Sequence, residues 1–145
     1  APGKKPDIEL DYGDFGLIVE VTLSTGQRQY DMEGEPVPRH FGRAKEELHD
    51  NLYCIFIANQ ISDGTLSHYF NLNRLNTKYY GGKTKIIPLT INNFVSFIEV
   101  GKNLKFNNPK KLEQWLERLW IKNQECKDES VWFTEIQESI LDWAS

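Results

Sequence analysis

Apolar and polar residues alternate through Leu17-Ile18-Val19-Glu20-Val21-Thr22-Leu23. This two-residue period predicts a strand with Ile18, Glu20 and Thr22 on one face and Leu17, Val19, Val21 and Leu23 on the other. A shorter run, Pro6-Asp7-Ile8-Glu9-Leu10-Asp11-Tyr12, precedes it across Gly13-Asp14-Phe15-Gly16. Together they read as a β-hairpin over roughly residues 7–24, after which residues 24–29 are expected to turn the chain toward Asp31-Met32-Glu33-Gly34-Glu35. Phe41, Ala44 and Leu48 recur at helical intervals within residues 39–48. Residues 51–58 are nearly all apolar, too few for a free-standing helix and rich in strand formers, which predicts a central strand buried on both faces.

Farther on, Leu66, Tyr69 and Phe70 predict a helix that Ser62 or Asp63 can cap. Residues 78–83 read as a flexible turn, and residues 84–90 as a short strand near a sheet edge, because Pro88 has no N–H to give to a ladder. Phe94, Phe97 and Ile98 mark another helix. Asn108-Pro109 suits a cap and first helical position ahead of Leu112, Trp115, Leu116, Leu119 and Trp120, and the last helix carries Trp132, Phe133, Ile136, Ile140 and Leu141. The expected fold is a mixed α/β sheet flanked by helices, with a helical C-terminal part.

Composition narrows this only modestly. A chain of 145 residues suits one domain, and 39% hydrophobic with 12% aromatic content is enough to build a core, which argues against disorder. Neither a transmembrane stretch nor the apolar region of a signal peptide is apparent, the start Ala1-Pro2-Gly3-Lys4-Lys5 being a polar lead-in, so the expected location is the cytoplasm. Cys54 and Cys126 stand apart, and neither a disulfide nor a structural zinc is expected. A net charge of −4 weighs against nucleic-acid binding by bulk electrostatics, though a metal-dependent nuclease concentrates acids of necessity.

The acids are placed suggestively. Asp7, Glu20 and Glu33 are each thirteen residues apart, and Glu20 lies in a run where a carboxylate is costly to bury without a partner. A divalent cation shared with the neighbouring strand is one such partner, and a half-exposed hairpin with a polar face is the plainer alternative. Pro6-Asp7 followed by Glu20-Val21-Thr22 resembles the PD-(D/E)xK nuclease signature, with Thr22 where the signature has lysine. The longer run from Glu20 through Thr22, Gly26 and Arg28 to Gln29, then Glu33-Gly34, then Val37-Pro38-Arg39-His40, resembles AlwI-type Type IIS restriction endonucleases and the small cleavage subunits of related heterodimeric nicking and restriction enzymes. The likeness continues through Ile87-Pro88-Leu89-Thr90, Phe106-Asn107 and the Trp-rich C-terminal helices.

That resemblance implies a prokaryotic, Mg²⁺-dependent endonuclease domain of restriction-endonuclease fold over residues 1–145. Sequence recognition would lie in a separate domain or large subunit, and a transient dimer would serve double-strand cleavage of duplex DNA. Mg²⁺, replaceable by Mn²⁺, takes one or two carboxylates with waters and phosphate. Asp7, Glu20 and the Val21 carbonyl are its expected ligands. Thr22 offers a hydroxyl and no charge, so the missing cation falls to Arg28, Arg39 or Lys45, while Gln29 could orient a water. Glu33 is either an outer metal ligand or base, or a surface acid at a helix entry. Arg39 and His40 are expected at DNA, His40 through a phosphate or active-site contact, His49 and His68 are ordinary polar residues, and Lys102, Lys105, Lys110 and Lys111 read as a solvated helix start. The competing readings are an inactive assembly module of the same fold, for which Thr22 argues, and an unrelated α/β binding domain with a chance acidic hairpin.

Overall fold

The computed structural model describes residues 5–102, 104 and 109–145. The lead-in at residues 1–4, Lys105, the Phe106-Asn107 pair and the expected cap Asn108 lie outside the described residues. The element order is β1 (Ile8–Asp11), β2 (Gly16–Thr22), α1 (Gly26–Glu33), α2 (Pro36–Glu47), β3 (Leu52–Ala58), α3 (Asp63–Arg74), a 3-10 turn (Lys78–Tyr80), β4 (Ile86–Thr90), α4 (Ile91–Gly101), α5 (Lys110–Glu125) and α6 (Glu129–Ser139).

The strands form one mixed sheet in the order β1-β2-β3-β4. The hairpin is antiparallel, with Ile8 opposite Val19, and its turn places Gly13 at φ +90°, a left-handed position that glycine occupies without a Cβ clash. β2 and β3 are parallel with Glu20 opposite Phe56 and Thr22 opposite Ala58, and β3 and β4 are parallel with Pro88 opposite Phe56. As expected, β3 is central and buried along its whole length, and β4, which carries Pro88, is an edge.

Alternation along β2 and β3 sorts the core into two layers. Leu17, Val19, Tyr53, Ile55 and Ile57 pack with Trp115, Leu116 and Leu119 of α5 and Trp132 and Ile136 of α6. On the other face, Ile18, Cys54, Phe56 and Ala58 pack with Val37, Phe41 and Ala44 of α2 and Tyr69 of α3. Each fully buried Ile or Phe contributes about 1.5–3 kcal/mol. Glu20 and Thr22 share the face of Ile18, so the fold points them toward α2.

Several sequence expectations change. Residues 24–29 enter α1, a helix without an apolar stripe whose buried residues are Gln29 and Glu33. α2 starts earlier than Phe41 implies, with a proline in its first turn. Ser62 caps α3 by accepting from the Thr65 N–H, and Pro109 takes the cap position of α5. On α4 only Phe97 is fully buried, and Ile98 is about half exposed. Leu141 falls past the end of α6 and is exposed.

Candidate active site

The hairpin, α1 and the ends of the parallel strands meet at a cleft of about 630 Å³ lined by Asp7, Val21, Thr22, Arg28 and Glu33, with Leu23, Ser24, Thr25 and Met32 completing the wall. The parallel order of β2 and β3 brings their carboxyl ends to this side. Asp7 stands just before β1, and its Oδ2 accepts a hydrogen bond from the Val21 N–H at 2.8 Å, which fixes the carboxylate across the hairpin. Thr22 Oγ1 lies 2.7 Å from Ser24 Oγ and accepts from the Ser24 N–H at 3.2 Å.

Glu20 lies beneath this wall at 0% exposure. The partner that so buried a carboxylate requires comes from α2: His40 Nδ1 is 3.0 Å from Glu20 Oε1, and the histidine is itself 1% exposed. Burial pushes the Glu20 carboxyl up to about 7, the bond to His40 and the electrostatic attraction between them oppose the rise, and the nearby Asp7 adds to it. His40 is therefore buried against Glu20, which fits the active-site contact expected of it rather than an exposed contact to phosphate. It holds Glu20 from the packed face of α2.

Gln29 also differs from expectation. Its side-chain amide donates to the carbonyls of Ser24, at 3.1 Å, and Gln60, at 2.7 Å, and accepts from the Ser62 N–H at 2.8 Å. Fully occupied and buried, it clamps α1 over the end of the sheet, which places Arg28 and Glu33 in the cleft. Gln29→Leu leaves two carbonyls and an N–H without this partner, at about 1–3 kcal/mol per unsatisfied group. The expected result is a drop of at least about 2 kcal/mol in unfolding free energy by urea denaturation; an unchanged midpoint would refute the clamp.

Of the candidate cations, only Arg28 lines the cleft. Arg39 Nε donates to Glu35 Oε1 at 3.0 Å on α2, and Lys45 Nζ donates to the Gly81 carbonyl at 2.9 Å, both away from it. Glu33 is 2% exposed in the last turn of α1 and so is not a surface acid at a helix entry. Among the described residues no three His, Cys, Asp or Glu side chains gather as a metal cluster.

The donor set nevertheless suits Mg²⁺. Asp7 and Val21 border an open cleft with room for water and phosphate, and Glu20, close enough to Asp7 to interact electrostatically, lies buried behind them. A similar cavity of about 660 Å³ lies by the other end of β3. Its own groups fill their needs: the Tyr53 hydroxyl donates to Glu117, and Lys85 lies over the rings of Tyr53 and Trp120, 4.8 and 4.7 Å from their centroids.

A mixed sheet between helices, with an acidic hairpin opening on the carboxyl ends of the parallel strands, is the architecture of a restriction endonuclease. The fold is similar to the crystal structure of the small subunit of the heterodimeric restriction endonuclease R.BspD6I, with a TM-score of 0.76 and 25% identity over 96% of this chain and 70% of that one. The sequence profile of the AlwI restriction endonuclease family matches residues 1–97. The chain belongs to that family, and the matched stretch contains every residue of the cleft. A search of curated proteins found no match. Among the described residues, no helix is long and apolar enough to cross a membrane.

Proposed function

We propose that the chain is the Mg²⁺-dependent cleavage module of a Type IIS restriction enzyme, hydrolysing a phosphodiester bond of duplex DNA. Asp7, Val21, Thr22, Arg28 and Glu33 lining one cleft above the buried Glu20 is the observation that carries this reading. Asp7, Glu20 and the Val21 carbonyl would hold the cation, with Mn²⁺ able to replace Mg²⁺. When bound, it supplies charge neutralisation at the phosphate and lowers the pKa of a water.

The chain's own groups do the rest. The Asp7–Val21 bond and the His40–Glu20 pair hold the two acids in place, Arg28 bears on a non-bridging phosphate oxygen, and Glu33 accepts the proton of the attacking water. Sequence is read by a recognition domain or large subunit outside this chain, as the likeness to a small subunit of a heterodimer supports. Cleavage of both strands then needs a second catalytic unit, joined as a transient dimer or partner, in a prokaryotic cytoplasm.

The Thr22 hydroxyl, tied to Ser24 where the nuclease signature has lysine, favours a second reading: an inactive subunit of the same fold. Calorimetric titration with Mn²⁺ and a cleavage assay with the chain tethered to a DNA-binding domain separate the two. The expected results are a metal-binding heat that Asp7→Ala abolishes, and strand cutting by the parent alone. Metal binding without cutting would select the inactive subunit, and no metal binding would reject the metal site.

A further inference from the structure

The Gly-Gly turn after α3, expected to be flexible, is a braced knuckle. Tyr80 and Gly82 both donate their N–H groups to the Thr77 carbonyl, at 3.1 and 2.9 Å, and Gly81 donates to the Lys78 carbonyl at 3.0 Å. Gly81 and Gly82 have φ of +81° and +109°, which excludes side chains there. The knuckle sits tightly on α2, where a Cβ added to Gly42 would fall 3.0 Å from Tyr80 Cα.

Lys45 braces it from α2, and Lys83 extends from it toward α5. Lys45 Nζ donates to the Gly81 carbonyl at 2.9 Å, and Lys83 Nζ donates to Gln124 Oε1 at 3.1 Å. Both acceptors are neutral, so neither ammonium charge is cancelled by its bond. Lys78 is exposed beside them, and Tyr79 stands between at 74% exposure, edge-on to Tyr80 with ring centroids 5.1 Å apart. In a chain of net charge −4, this gathers positive charge around a rigid aromatic tip.

We propose that Lys78, Tyr79 and Lys83, on the base that Lys45 braces, form a second contact for the backbone of duplex DNA, outside the cleft. The inference rests on the nuclease reading. The knuckle is seated on α2, the same helix that carries His40 to Glu20 beneath the cleft.

Lysine and tyrosine contacts to phosphate fix position and carry no sequence information, which is what a cleavage module guided by a separate reader requires. Because the knuckle is already rigid, little side-chain and loop ordering is lost on binding.

The test is fluorescence anisotropy of a labelled duplex with the full chain across a range of salt, comparing the parent with Lys78→Gln/Lys83→Gln. Lys45 is left in place because it braces the turn. Lys122→Gln/Lys127→Gln on and beyond α5 makes the same change in net charge elsewhere. Each lost phosphate contact lowers the slope of log affinity against log salt by about 0.9. The knuckle pair is expected to flatten the slope by about 1–2, the α5 pair to leave it unchanged, and both to melt with the parent.

Equal slopes in all three proteins, equal flattening by both pairs, or no duplex binding by the parent would overturn the contact. Tethered cutting distinguishes the failures: a parent that still cuts DNA keeps the nuclease reading while the knuckle fails, whereas a parent that neither cuts nor binds Mn²⁺ fails both.

Discussion

Glu20→Gln is expected to lower the single-turnover cleavage rate of the tethered chain by about 10³-fold or more while stabilising the metal-free protein at neutral pH and above. The first effect follows from removing a charged metal ligand, since polarisation by a bound cation supplies several kcal/mol of transition-state stabilisation and about 4 kcal/mol is a thousandfold. The second has the opposite sign because the metal-free fold pays for a buried acid. The Glu20 carboxyl is raised from 4.5 to about 7, so between these values the folded protein holds more protons than the unfolded chain.

Unfolding free energy therefore falls as pH rises through that window, by an amount on the order of 3 kcal/mol once pH exceeds 7. The cost is absent below about pH 4.5. The amide cannot ionise but can still bond to His40, so the variant is expected to lose this slope. Urea denaturation from pH 5 to 8 in EDTA checks it; a variant that is equally steep, or one that still cuts, would remove Glu20 from the role assigned here.

The pattern of the chain revealed this site unevenly, for physical reasons. The hairpin, the buried β3 and the edge position of β4 were legible because two-residue alternation, an unbroken apolar run and Pro88 each have one structural solution. α1 was not, because residues 26–33 have no apolar stripe; what holds them is Gln29, whose three bonds reach Ser24 and the chain before α3. The burial of Glu20 was signalled by its place in an apolar run, and so was its need for a partner. Which partner was not, since residues 20 and 40 meet only when α2 packs on the sheet, and a histidine beside an arginine reads equally well as a surface pair. The acceptor of Lys45 was hidden for the same reason: it is a carbonyl thirty-six residues away.

Arg28 is where the absent lysine is best replaced. Arg28→Ala is expected to lower the single-turnover rate by about 10²- to 10³-fold, the loss typical of one preorganised donor aimed at developing charge, with Mn²⁺ affinity little changed. The expectation rests on position. Arg39 is engaged with Glu35 and Lys45 with Gly81, while Arg28 lines the cleft with its Nε on the weak acceptor Met32 Sδ, 3.3 Å away. Thr22 stands on the same wall at the carboxyl end of β2, so Thr22→Lys in the Arg28→Ala background would return an ammonium to the phosphate and is expected to recover part of the rate. Measured single-turnover rates for the two variants decide the matter. Arg28→Ala cutting at the parental rate while Arg39→Ala is impaired would move the cation to α2; silence of Arg28, Arg39 and Lys45 substitutions alike would leave the metal as the source of all the positive charge that the phosphate meets.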